Sequence, residues 1–202
     1  MTDQIIDLSE APARLRAGNG LLSITRGDSG EIVTVPFADI ACLVASHPQI
    51  TWTQAVIAGL ARTGAAFVCC DEKHMPCAML LPLDAHITQS ERFARQAAAS
   101  LPLKKRLWRE IVRAKLRAQS RALAELRGDD EGIAALAKRV RSGDPENMEA
   151  RASRRYWPAL FARPGFRRER GEPDENRLLN YGYAVLRAIV ARAVCAAGLH
   201  CT

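Results

Sequence analysis

Leu21-Leu22-Ser23-Ile24-Thr25 and Glu31-Ile32-Val33-Thr34-Val35-Pro36, separated by Gly27-Asp28-Ser29-Gly30, decide how the first part of the chain folds. Both runs are apolar and β-branched, and the glycines between them are turn chemistry, so the segment predicts a β-hairpin. Downstream, Ile40-Ala41-Cys42-Leu43-Val44-Ala45 has the composition of another strand. Residues 51–64 read as one short helix, because Thr51 and Gln54 have capping-box spacing and Gly64 stands at a C-terminal stop. Residues 65–70 return to strand character, 71–76 make a turn and 77–81 pair back. A β-rich, sandwich-like domain is therefore expected over residues 1–85, with Pro82 and Asp84 marking the linker.

Beyond Thr88 the chain turns to Ala, Arg, Leu and Glu, which favour helix. The expectation is an α+β fold in which a helical domain of three segments occupies residues 86–202, incomplete at its C-terminus, with Pro102 dividing the first two segments. Within residues 104–126, Leu107, Trp108, Ile111, Val112, Leu116, Leu123 and Leu126 are assigned to a core face. Lys105, Arg109, Arg113, Arg117 and Arg121 recur every fourth residue and form a slanting basic stripe.

The formal net charge of +7 is unevenly distributed. Residues 1–90 hold 5 Lys+Arg against 9 Asp+Glu, whereas residues 91–202 hold 24 against 13. A surplus concentrated in one part favours a polyanionic partner, because neutralised phosphates release condensed counterions; a solvated arginine-rich surface is the plainer reading. Six cysteines without paired spacing, and acids in the first ten residues, point to a reducing cytoplasm and no secretory signal. The uncharged stretch 40–61 is interrupted by His47, Pro48, Gln49, Thr51, Thr53 and Gln54 and cannot span a membrane. No Walker loop, dinucleotide fingerprint or Ser-His-Asp order is visible.

The segment that carries chemistry is Asp144-Pro145-Glu146-Asn147-Met148-Glu149-Ala150-Arg151-Ala152-Ser153-Arg154-Arg155-Tyr156-Trp157. Asp144 suits an N-cap and Pro145 the first helical position, so a helix is expected to begin there. Glu149, Ala152, Ser153, Tyr156 and Leu160 share one face, which aims the carboxylate along small and apolar side chains. Its partner is a cation, or Arg154 or another arginine in an ion pair; alternatively, Glu149 complements the helix dipole.

The run Asn147-Met148-Glu149-Ala150, followed by Arg154, Tyr156-Trp157 and Leu160-Phe161, resembles the central motif of the CRISPR-associated spacer-acquisition integrase, type II-like branch. Leu178-Leu179-Asn180-Tyr181-Gly182-Tyr183-Ala184-Val185-Leu186 is similar to the next helix of that family. Pro36-Phe37-Ala38-Asp39-Ile40 and Cys70-Asp71-Glu72-Lys73-His74-Met75-Pro76 are similar to its N-terminal β-domain. The resemblance implies a metal-dependent DNA endonuclease and integrase that inserts spacer DNA into a repeat array by attack of a 3′ hydroxyl on a phosphodiester. It implies a homodimer acting on double-stranded DNA with a second, smaller CRISPR-associated adaptation protein. Glu149 is then the catalytic metal ligand for Mg²⁺ or Mn²⁺. Asn147, Tyr156 and Asn180 support the site, and Lys105, Arg109, Arg113, Arg117 and Arg154 contact DNA. In the family a histidine and an acid complete the ligand set beyond the Asn-Tyr-Gly-Tyr helix, and here Thr202 comes first. The chain is therefore expected to be a fragment or a truncated product of doubtful activity by itself.

A noncatalytic DNA-binding or assembly module is the rival reading, and a helical protein whose basic face takes acidic proteins is a third. Cys69, Cys70, His74 and Cys77 imitate a zinc site but lack two C-x₂₋₄-C half-sites, so buried thiols are the expectation. Trp52, Trp108 and Trp157 are expected on apolar helical faces as core residues. Gly182 suggests close helix packing, and His200 is taken as an ordinary helix-end residue.

Overall fold

A computed structural model describes residues 4–27, 29–82, 86–169 and 174–201. The chain divides into two compact units, Met1–Gln96 with Pro173–Thr202, and Ala97–Glu172. This differs from the expected division at residue 85, because the last helix returns to the β-rich part.

The first unit holds two four-stranded sheets. In one, β1 (Gln4–Leu8), β5 (Ile40–Ala45), β7 (Ala66–Cys70) and β8 (Pro76–Met79) lie in the order β1-β5-β7-β8, parallel except for the β7–β8 pair. In the other, β4 (Glu31–Pro36), β3 (Leu21–Arg26), β2 (Ala13–Gly18) and β6 (Ile50–Trp52) follow the order β4-β3-β2-β6. The expected hairpin is β3–β4, with Leu21 opposite Pro36 and Arg26 opposite Glu31; Asp28 of its turn lies outside the described residues, as does Asp84 of the expected linker.

Strand alternation separates two cores. Leu43 and Phe67 join Leu15, Leu22, Ile24, Val56 and Leu60 on one side of the parallel sheet. On the other, Cys42, Val44, Ala66 and Val68 pack with Val185 and Ala188 of the last helix, α6 (Glu175–Ala196). A strand covered on both faces must be apolar throughout, which is why β5 is legible in the sequence. β1, β2 and β6 are not. In β2 the Ala, Leu and Arg residues favour helix, and the signal that would identify it is the alternation of buried Ala13 and Leu15 with exposed Arg14 and Arg16.

Thr51 belongs to β6, so the expected capping box does not form; α1 runs Gln54–Thr63 from Thr53 and ends at Gly64, whose φ of 89° is left-handed. Trp52 is likewise on a strand, half-exposed, with its ring edge-on to Phe67 at 5.4 Å. Burial pushes the Cys42 thiol up to about 11, with Asp7 adding to the shift. Ser46 Oγ and His74 Nδ1 share a hydrogen bond of 3.0 Å, and the Cys77 thiol donates to the Cys69 carbonyl at 3.4 Å. Among the described residues no three His, Cys, Asp or Glu side chains are placed to hold a metal ion.

Five helices, not three, follow Thr88 among the described residues: α2 (Gln89–Ala97), α3 (Leu101–Arg127), α4 (Ile133–Arg139), α5 (Met148–Leu160) and α6. Pro102 sits in the first turn of α3, where its missing N–H costs nothing. Within the second unit, Val112, Leu116 and Leu123 of α3 pack with Ile133, Leu136, Met148 and Ala152. Leu107, Trp108, Ile111 and Leu126 are exposed, so the expected core face holds only in part. In the first unit, the Gln96 side chain donates to and accepts from the His200 backbone at 2.8 Å each, and the His200 ring meets Phe93 edge-on. α6 is long and apolar enough to cross a membrane, but its Val185 and Ala188 face lies on the sheet.

Two helical glycines differ in surroundings. A Cβ on Gly59 would stand 2.6 Å from Phe37 Cζ, whereas one on Gly182 would meet nothing within 4 Å, so the close packing expected at Gly182 is absent. We expect Gly182→Ala to stabilise the protein by roughly 0.5–1 kcal/mol. Gly59→Ala should destabilise it, because overpacking costs roughly 1–3 kcal/mol and outweighs the propensity gain. Urea unfolding of the two variants reads the opposite signs.

Candidate functional site

The second unit presents Glu149 through a turn built from left-handed residues. Gly143 (φ 78°), Asp144 (φ 49°) and Asn147 (φ 50°) reverse the chain, and the Asn147 N–H donates to the Asp144 carbonyl at 3.0 Å. The buried Asp144 carboxylate then accepts the N–H groups of Met148 at 2.9 Å and Glu149 at 3.0 Å. Helix α5 thus begins at Met148, with Asn147 as its N-cap, three residues later than Asp144-Pro145 suggested. Asp144 still caps it, from outside, by satisfying two donors that the first turn cannot. Packing of Met148 and Ala152 into the second core fixes the roll of the helix.

With that roll, Glu149 is half-buried and pairs with the Lys115 ammonium of α3. The partner is a lysine rather than Arg154, which is exposed on the same helix. Sequence reasoning missed Lys115, and no local pattern could have found it, since 34 residues separate the two. Tyr156 is half-buried against the second core, its ring edge-on to the buried Trp157 at 4.9 Å. The Asn147 carbonyl accepts the Arg151 N–H at 3.1 Å. Asn180 lies half-buried on α6, in the first unit; its neighbour Tyr181 donates its hydroxyl to Asp7 Oδ2 at 2.6 Å, and burial and that carboxylate raise its pKa.

The basic stripe on α3 is continuous along the helix but not uniform. Arg109 pairs with Glu110 at 2.8 Å and Arg113 approaches the same carboxylate at 3.8 Å. The Arg113 Nε is buried without a hydrogen-bond partner among the described residues. The Lys105 stem lies against the backbone of Gly143, whose N–H donates to the Lys105 carbonyl at 3.0 Å. Arg117 is exposed and, among the described residues, in no ion pair. Farther along, Arg127 donates to the Leu160 carbonyl at 3.1 Å through Nε and 2.5 Å through a terminal nitrogen, tying α3 to the end of α5.

These residues do not fit a complete divalent-cation site. Glu149 is a carboxylate already facing an ammonium, and among the described residues no group of three His, Cys, Asp or Glu side chains is placed to hold a metal ion around it. What the arrangement can do is hold phosphates along a basic helix beside a carboxylate.

The profile of the family described as CRISPR associated protein Cas1 matches residues 7–202. A CRISPR-associated endonuclease Cas1 of Neisseria meningitidis serogroup C is 39% identical over 169 residues, covering 82% of this chain and 55% of the relative. Another, from Pyrobaculum aerophilum, is 28% identical and covers 93% and 67%. The chain thus spans little more than half the length of the first relative. Among solved structures, a CAS1 protein from Thermotoga maritima shares the fold with a TM-score of 0.68 at 13% identity, over 91% of this chain and 62% of that one. A casposase bound to integration product shares it at 0.64 and 17%, over 98% and 62%.

Stability tests separate the cap from the ion pair. Asp144→Ala should cost roughly 1–2 kcal/mol, the range for losing a good helix cap. Lys115→Ala should cost less than about 1 kcal/mol, since the pair is partly exposed and screened. Chemical denaturation of both variants against wild type measures the difference.

Proposed function

The chain belongs to the CRISPR-associated Cas1 family, and on that premise we propose that it acts on double-stranded DNA as part of a metal-dependent endonuclease and integrase, inserting spacer DNA into a repeat array. The observation that carries the reading is that one compact unit holds both Glu149, on the motif that resembles the family's, and the basic face of α3 from Lys105 to Arg117. In this proposal Arg109, Arg113, Arg117 and Arg154, with Lys105, hold phosphates, and Asn147 and Tyr156 support the site. Glu149 serves as one ligand of Mg²⁺ or Mn²⁺ in an assembly that supplies further ligands. The chemistry proposed is a transesterification: a spacer 3′ oxygen bonds to a repeat phosphorus and the 3′ oxygen of the cut strand leaves. The proposed setting is the cytoplasm, as a homodimer with a second small adaptation protein; a Cas6-RT-Cas1–Cas2 complex is among the solved structures of the same fold.

The pairing of Glu149 with Lys115, with no three-ligand group around it among the described residues, favours a second reading, a noncatalytic DNA-binding or assembly module. Both readings require salt-dependent DNA binding. Expected for this chain is a log-log salt slope of about −0.9 for each duplex phosphate neutralised, and Arg117→Ala should flatten it by about 1. A Mn²⁺ strand-transfer assay run beside the salt titration then separates them. Transfer that disappears in Glu149→Ala, with affinity retained, supports the integrase; binding without transfer supports the module; transfer undiminished in Glu149→Ala removes the ligand role.

A further inference from the structure

The β7–β8 hairpin of the first unit carries three cysteines that the DNA-handling reading does not use: Cys69 and Cys70 end β7, and Cys77 stands in β8. Their register is irregular at one step. Cys69 lies opposite Ala78 and Cys70 opposite Pro76, so Cys77 is an extra residue on β8, a β-bulge. In an uninterrupted ladder Cys77 would face Cys70, and alternation would put it on the other side of the sheet from Cys69. The bulge re-aims it, and its thiol donates to the Cys69 carbonyl at 3.4 Å.

The connecting turn holds the strands in that register. The Asp71 N–H donates to the Met75 carbonyl at 2.9 Å, and Asp71 Oδ1 accepts the N–H groups of Lys73 and Met75 at 2.9 Å each. His74 is left-handed at φ 59°, and its Nδ1 shares the hydrogen bond with buried Ser46. Little backbone freedom remains to be lost when two thiols of this hairpin join. The thiols differ in access. Cys77 is exposed, whereas Cys69 and Cys70 are half-buried. Burial holds the Cys69 thiol above its ordinary value, and the Cys77 side chain, by charge and a hydrogen bond, pushes it the same way. Cys69 is thus a poor first nucleophile, which leaves attack on an oxidant to the exposed thiol. Burial raises Cys70 too, and its side chain bonds to Ser46 instead.

We propose that Cys77 and Cys69 are a reversible dithiol–disulfide pair, in which a peroxide oxidises Cys77 and Cys69 resolves it within the hairpin. The Cys77 thiolate attacks one oxygen of hydrogen peroxide, the O–O bond breaks and hydroxide leaves, so Cys77 becomes a sulfenic acid. That hydroxide takes the Cys69 proton and becomes water. The Cys69 sulfur then attacks the Cys77 sulfur, and the S–O bond breaks to release a second hydroxide, which recovers the proton that Cys77 first gave up. In sum, two thiols and one peroxide give one disulfide and two waters. In a reducing compartment a disulfide of this kind is transient and redox-sensing. The new bond ties β8, the edge strand of its sheet, to β7 where the bulge interrupts their pairing. This site is independent of the DNA-handling reading and stands or falls without it.

Peptide mapping of the full chain, reduced, treated with hydrogen peroxide and then blocked with N-ethylmaleimide, tests it. Trypsin cuts after Arg62, Lys73 and Arg92, so Cys77 leaves on a different peptide from Cys69 and Cys70 unless a disulfide joins them. Wild type and Cys70→Ser should both give the linked peptides, which dithiothreitol separates. Cys69→Ser and Cys77→Ser should lose them. Cys77→Ser changes an exposed side chain, and an unaltered urea midpoint in the reduced state shows that its loss is not misfolding. Oxidation should raise the urea midpoint of wild type and leave that of Cys77→Ser where it was. A link kept in Cys69→Ser and lost in Cys70→Ser moves the bond to Cys70 and overturns the pairing. Linked peptides found only in a covalent dimer on a non-reducing gel overturn it as well, as does Cys77 carried to the sulfinic acid with no link formed.

Discussion

The two hydrogen bonds from the first turn of α5 to the Asp144 carboxylate set the course of everything in the second unit that bears on function. A helix leaves its first N–H groups without internal partners, and a buried start must find acceptors elsewhere. Here the acceptor is a side chain held at 6% exposure by a turn in left-handed conformation. The turn delivers Met148 into the core, and Met148 and Ala152 then dictate which way the rest of the helix faces. Glu149, Arg154 and Trp157 follow from that one rotation by the helical repeat.

The same rotation explains why Glu149 meets Lys115. The two stand on helices that pack through Val112, Leu116, Met148 and Ala152, so the ion pair lies at the margin of an apolar contact and does not create it. At partial exposure such a pair is worth little in stability. Its weight is electrostatic: an ammonium beside the carboxylate offsets the charge that a divalent cation would need, and it continues the positive field of α3. A carboxylate in this setting suits an assembly in which other groups join it.

The first unit is held together differently. The parallel sheet is covered by one core on the side of the second sheet and by α6 on the other. Because α6 follows the second unit in the chain, the first unit is closed by a segment that is distant in sequence. That closure makes the first unit discontinuous in sequence and moves the apparent boundary from residue 85 to residues 96 and 173.

Local chemistry was enough to determine the β3–β4 hairpin, strand β5, the stop of α1 at Gly64, the long basic helix α3 and the presence of a helix carrying Glu149. Glycine turns, β-branched runs and charge periodicity act over a few residues, and no distant partner is needed to read them. The family motif around Glu149 was legible for the same reason. Tertiary structure alone decided that Thr51 pairs in β6, that α5 starts at Met148, that Leu107, Trp108 and Ile111 stay exposed, and that Lys115 faces Glu149. Each of these depends on which face of an element a distant segment covers, and burial of that kind is a property of packed pairs, which spacing along one strand or helix does not encode.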